Sequence, residues 1–133
     1  MRALGVQLKG RIRFRLAQPC GCFDGRLCNI YAERPARCRQ FACGVLKRVQ
    51  AGEVSEAAGL KHIHEAQRKV ARVRQLLRQA GDHDEAKPLM KRYARAMAQP
   101  VDLSAGDASA EVRGELMLAM ADLMEHSRRE FLT

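Results

Sequence analysis

Along residues 1–18, apolar and polar side chains alternate. Val6, Leu8, Ile12, Phe14 and Leu16 occupy even positions, and Lys9, Arg11, Arg13 and Arg15 fall between the later ones. A period of two belongs to a half-buried strand, or to two short strands turning at Gly10. From Ser55 the period lengthens. Ile63, Val70 and Leu77 recur at heptad spacing, as do Ala66, Val73 and Ala80, offset from them by a half-heptad step. That is a narrow a/d seam, which predicts a helix over residues 55–80 packed on a second helix. Lys61, Glu65, Arg68, Lys69, Arg72, Arg74 and Arg78 take its outer faces, and Gly81 stands where a glycine ends a helix.

Asp84 is the expected N-cap of a helix through Ala98, with Pro88 near its start and Leu89, Met90, Tyr93 and Met97 on its apolar face. Residues 100–108 read as a linker. Asp107 or Ser109 then caps a last helix to about Phe131, with Val112, Leu116, Ala119, Met120 and Leu123 as its buried stripe. Two long helices of this kind, each roughly 35 Å at 1.5 Å per residue, and a shorter one between them point to an antiparallel hairpin or bundle.

Between the strand-like start and the first long helix the pattern breaks down. Residues 19–39 are rich in turn formers: Pro19, Gly21, Asp24-Gly25 and Pro35. Asp24-Gly25 is placed to close a tight turn between Cys22 and Cys28. Pro35 is placed to open a helical turn through Cys38, and residues 41–50 to continue helically, so that Cys38 and Cys43 straddle a turn. The expected fold is therefore mainly α. A small Cys-rich metal-binding subdomain with short strands, residues 1–50, packs on a helical body, residues 51–133, to make a single compact unit.

Composition narrows the chemistry. With aromatics at 5% and no Trp, the core must come from aliphatic residues and Met, which suits helices. The charge of +9 is spread along the chain with no run of five basic residues, so specific nucleic-acid binding is not expected. The start has charges at short intervals and no apolar core of a secretory signal, and nothing approaches a membrane span. The protein is therefore expected to be cytoplasmic. In that reducing compartment a dense cysteine cluster reads as metal-binding or catalytic.

All five cysteines, Cys20, Cys22, Cys28, Cys38 and Cys43, lie within residues 20–43. A polar loop of this length has no apolar core of its own, and a thiolate-bound ion would supply folding energy, about 10 kcal/mol or more for structural zinc in small peptides. Four thiolates around Zn²⁺ or a [4Fe–4S]²⁺ cluster carry excess negative charge. Arg26, Arg34, Arg37 and Arg39 lie within the stretch to offset it, or are simply solvated. No Gly-rich phosphate loop and no G-x-S-x-G is present. A cysteine nucleophile would need a base, and His62 is the nearest in sequence. His62 and His64 project about 200° apart on one helix, and His126 reads as a cation near a helix C-terminus.

The run Cys28-x2-Tyr31-x2-Arg34-Pro35-x2-Cys38-Arg39-x-Phe41-x-Cys43, preceded by Gln18-Pro19-Cys20 and Asp24-Gly25, resembles the YkgJ family of cysteine-cluster proteins, described as zinc- or iron-chelating domains. The likeness extends over about residues 3–80. It implies binding of zinc or an iron–sulfur cluster through Cys20, Cys28, Cys38 and Cys43, with Arg34 and Arg39 serving the bound group. Cys22 has no family counterpart and is a spare thiol or a replacement ligand. The family's upstream segment of paired cysteines is expected to be missing here. Zinc is favoured, because a tetrahedral thiolate site needs no assembly machinery. Electron transfer or sensing follows if the group is iron–sulfur. The alternative is a non-catalytic interaction protein whose 63–80 seam engages a protein partner or a second copy of itself and whose basic surface recruits an acidic partner.

Overall fold

The computed structural model of the chain describes residues 8–9, 15–16, 18–100 and 107–132. It is mainly helical. Two short strands, β1 (Leu8–Lys9) and β2 (Arg15–Leu16), precede five helices: α1 (Ala36–Arg39), α2 (Gly44–Gln50), α3 (Glu56–Gln79), α4 (Leu89–Ala98) and α5 (Asp107–Glu130). The chain divides into two compact units, residues 1–41 with 85–88, and residues 42–84 with 89–133. The division falls after Phe41, so α2 belongs to the helical unit; the sequence reading had put the boundary near residue 50.

In the first unit, β1 and β2 pair antiparallel, Leu8 opposite Leu16 and Lys9 opposite Arg15. That register is centred on residue 12 rather than on Gly10; the residues between the strands lie outside the described ones. The Asp24-Gly25 turn forms as expected. The Asp24 N–H donates to the Leu27 carbonyl at 3.1 Å, and Gly25 takes a φ of +101° that other residues resist. The Asp24 side chain accepts from the Arg26 and Leu27 N–H groups, both at 2.7 Å. Those two bonds hold its carboxyl below the usual carboxylate range. Pro35 stands at the N-cap of α1, and the Cys38 and Arg39 N–H groups both donate to its carbonyl.

In the second unit, Ser55 caps α3, its hydroxyl accepting from the Ala58 N–H at 3.2 Å. The helix ends in a Schellman motif. Gly81, at φ +84°, donates to Arg78, and Asp82 donates to Leu77. Gly52 closes α2 the same way, with Gly52 donating to Val49 and Glu53 to Arg48. Continuous helix over residues 41–50 does not form. Cys43 is the N-cap of α2, and helix begins only at Gly44.

The core is the α3–α5 interface: Val73, Leu76 and Leu77 against Leu116, Met120 and Leu123, flanked by Val70, Ala119 and, from α4, Leu89, Tyr93, Ala96 and Met97. Each such side chain contributes about 1.5–3 kcal/mol on burial. The helices run antiparallel, since partners descend on α5 as they ascend on α3: His62 with His126, Lys69 with Asp122, Arg72 with Glu115. Val70, Val73 and Leu77 of the 63–80 seam thus pack within the chain. The seam differs in detail from strict heptad spacing. Leu76 is buried, Ala80 is exposed, and Ile63 is 37% exposed. At its C-terminal end α3 has both α4 and α5 as neighbours and buries a wider face. Toward its N-terminal end the covered face turns to Gly59 and His62, as a stripe on a 3.6-residue helix drifts from a heptad repeat.

The α4 helix begins at Leu89, directly after Pro88, and not at Asp84. The steric bias of proline against helix in the preceding residue accounts for this start. Met90 is exposed, and the place expected of an apolar residue is taken by Arg92. No helix among the described residues is long and apolar enough to cross a membrane.

Candidate metal centres

Four of the five cysteines fall in the first unit. Local backbone bonds bring their segments together: Phe23 donates to the Cys20 carbonyl at 3.0 Å, Asn29 donates to the Cys22 carbonyl at 2.8 Å, and Phe23 and Cys28 form an antiparallel bridge. Cys22 is 6% exposed and is the one buried side chain among the described residues of 18–41. Phe23, Leu27, Tyr31 and Phe41 are all largely exposed, so this stretch has no apolar core of its own. Burial raises the Cys22 thiol pKa, and Cys20, Cys28 and Cys38 raise it further, Cys20 also through a hydrogen bond. Cys22, expected as a spare thiol or a replacement ligand, is thus the most buried of the five cysteines. All five cysteines are free thiols.

The gathering is loose. No three of this unit's sulfurs lie all within 4.8 Å of one another, whereas a closed tetrahedral thiolate site with metal–sulfur bonds of about 2.3 Å sets them about 3.8 Å apart. Cys43 belongs to the second unit, at the N-cap of α2.

Arg34 and Arg39 lace the loop that carries Cys38. Arg39 donates through Nε to the Arg34 carbonyl at 2.8 Å and through Nη2 to the Ala32 carbonyl at 3.2 Å. Arg34 donates to the Tyr31 carbonyl at 3.2 Å and lies over the Tyr31 ring, 3.8 Å from its centroid. Both guanidinium groups thus hold main-chain carbonyls of residues 31–34.

No family model matches the chain, and neither a curated protein nor a solved structure does.

A second cluster lies in the helical unit. Among the described residues, one trio has ligand atoms all within 4.8 Å of one another: His62 and Glu65 on α3, and His126 on α5. His62 and Glu65 are three apart and share a helix face. His126 is 2% exposed, and its Nε2 lies 3.1 Å from the His62 carbonyl oxygen. Beside it Glu130 is also buried, paired with Arg48 at 2.5 Å and Arg129 at 2.7 Å, and 3.6 Å from His62 Nδ1. Hydrogen bonds from Arg129 and Arg48 outweigh burial and hold the Glu130 carboxyl down to about 2. Neither the meeting of His62 with His126 nor the burial of Glu130 is among the expectations from sequence. The signal was available: continuing the Leu116, Met120, Leu123 stripe in steps of three or four reaches His126 and Glu130.

Proposed function

We propose that this chain is a metal-binding protein in which Cys20, Cys22, Cys28 and Cys38 hold zinc or an iron–sulfur cluster; the resemblance to the YkgJ family supplies Cys20, Cys28 and Cys38, and Cys22 takes the part of a replacement ligand. One observation carries the reading. The only buried side chain among the described residues of 18–41 is a cysteine, Cys22, whose thiol pKa is raised by burial and by Cys20, Cys28 and Cys38. A turn-rich segment that buries no apolar residue lacks the usual source of stability, and ligation is the route open to such segments.

The donor chemistry fits. Thiolates are soft ligands suited to zinc and to iron–sulfur clusters. A cation among these sulfurs would relieve the crowding that keeps the Cys22 proton on, and would draw the sulfurs inward to bonding distance. Arg39 and Arg34 would position the Cys38 loop through main-chain carbonyls. The resemblance gives Cys43 as the fourth ligand; Cys22 stands in that place in this proposal.

Elemental analysis and a visible spectrum of anaerobically purified protein test this. Stoichiometric zinc in a colourless sample, or iron and sulfide with a broad visible band, is the expected result. Either must be lost when Cys20, Cys22, Cys28 and Cys38 are changed together to Ser. A metal content that those substitutions leave unchanged would contradict the assignment.

A further inference from the structure

His126 Nε2 faces the His62 carbonyl oxygen at 3.1 Å. A carbonyl only accepts, so Nε2 carries the ring proton. In the neutral imidazole, Nδ1 is then a bare lone pair. That atom is buried and has no hydrogen-bond partner. The side chain that faces it, the Glu65 carboxylate with Oε1 at 3.8 Å, is itself an acceptor. Two lone pairs thus confront each other at the buried end of the cluster, an unfavourable arrangement for a nitrogen without a partner.

A proton on Nδ1 resolves this poorly, since 3.8 Å is too long for an N–H···O bond. An ion about 2.1 Å from both atoms spans the gap, and one ligand atom each of His62, Glu65 and His126 lie within 4.8 Å of one another. We infer that His62, Glu65 and His126 form a second cation site, independent of the thiols, for a first-row divalent ion such as Zn²⁺. Two imidazole nitrogens and one carboxylate oxygen make up the protein donors, and water completes the shell.

The surroundings are those of a ligating pair of histidines. His126 has an acceptor for its outer N–H, the His62 carbonyl at 3.1 Å from Nε2, and the Glu130 carboxylate stands 3.6 Å from His62 Nδ1, a charge neighbour rather than a hydrogen-bond partner. Outer acceptors of this type orient ligating histidines. Glu130 is anchored in turn by Arg48 and Arg129. Lys69 is the competing cation, 3.5 Å from Glu65 Oε1. Its closer partner is Asp122, so Glu65 can turn to an ion without stranding it. Glu65 is a little under half exposed and His62 about one-third, which leaves the site open to ions from solvent while His126 forms its floor.

Cobalt(II) titration of the full-length protein separates this site from the thiols. Cobalt on thiolates gives intense charge-transfer absorption in the near ultraviolet; cobalt on nitrogen and oxygen gives only weak visible bands. The wild type is expected to bind one more equivalent than His126→Gln, and the difference to carry no thiolate charge transfer. Glu65→Gln, at a more exposed position that does not threaten folding, must lose the same equivalent. The Cys→Ser protein must keep it, so failure of either site is visible without the other. Nitrogen-15 spectra of unmodified protein give a second readout: the His126 Nδ1 resonance should move on adding Zn²⁺ while Nε2 stays protonated. Equal stoichiometry in wild type, His126→Gln and Glu65→Gln, or an Nδ1 found protonated at pH 7 and unmoved by Zn²⁺, would overturn the inference.

Discussion

Arg92 and Asp82 form a buried ion pair at the turn between α3 and α4. Arg92 is 1% exposed; its Nε lies 3.0 Å from Asp82 Oδ1 and its Nη2 3.1 Å from the Asp82 carbonyl oxygen. Arg95 donates to Asp82 Oδ2 through Nε at 3.0 Å and Nη2 at 2.6 Å. Asp82 also accepts from the Asp84 N–H at 3.2 Å. One carboxylate thus ties the Schellman end of α3 to the inner face of α4. Removing it leaves the Arg92 charge buried and unpaired. Asp82→Ala should cost about 3–5 kcal/mol, read as a fall in the urea midpoint with an unchanged slope.

The same carboxylate gives a pH signature. Burial pushes the Asp82 pKa up, but the hydrogen bonds from Arg95 and Arg92 outweigh burial and hold it below the ordinary value. A depressed folded pKa contributes stability that is fully present above the unfolded value, about 3.9, and is lost as pH falls through the folded one. Urea midpoints of the wild type should therefore drop more steeply below about pH 4 than those of Asp82→Ala. Parallel curves would remove Asp82 as a source of acid sensitivity.

Two helical glycines should respond oppositely to alanine. A Cβ on Gly59 would meet Val49 Cγ2 at 2.9 Å and Val45 Cγ1 at 3.3 Å, where α2 crosses α3, and stiff Val side chains yield little. A Cβ on Gly114 in α5 meets nothing within 4 Å. Gly114→Ala should stabilise by about 0.5–1 kcal/mol from backbone propensity. At Gly59 overpacking of about 1–3 kcal/mol offsets that gain, so Gly59→Ala should be neutral to destabilising. Thermal melts of the two variants check the contrast.

If the thiols hold a metal, chelation should act locally. Arg26, in the loop, and Arg37 and Arg39, in the single-turn α1, are exposed trypsin sites. Exhaustive dialysis against EDTA should raise cleavage there at least several-fold and leave the far-ultraviolet helical signal essentially in place, because nearly all of the helix lies in the second unit. Equal cleavage before and after dialysis would show that the loop holds its shape unaided.

The guanidinium fork of Arg39 reaches two carbonyls that one ammonium cannot serve together. Arg39→Lys should weaken metal retention about fivefold, the equivalent of one charged hydrogen bond of about 1 kcal/mol. Competition against a chromophoric chelator measures it.

Much of the helical unit could be read from local signals. Ser55, Gly81 and the Val112–Leu123 stripe each follow from short-range rules, and each holds. What escaped depends on neighbours. Leu76 is buried because α4 closes over one end of α3, which no periodicity in α3 announces. Arg92 stands on an inner face because Asp82, ten residues earlier, waits there. Helix failed to start at Asp84, where proline sterics outweighed a plausible cap. The histidine cluster escaped because His62 and His126 lie 64 residues apart and meet only across the α3–α5 interface. The cysteines were legible as a dense group, but their irregular spacing did not reveal which of them lies innermost.

X-ray absorption at the metal edge of the purified protein, in a His126→Gln background that removes the imidazole site, tests the thiol assignment most directly. The account predicts sulfur scatterers at about 2.3 Å, four per metal for zinc. A first shell of nitrogen and oxygen alone at about 2.0–2.1 Å would contradict it.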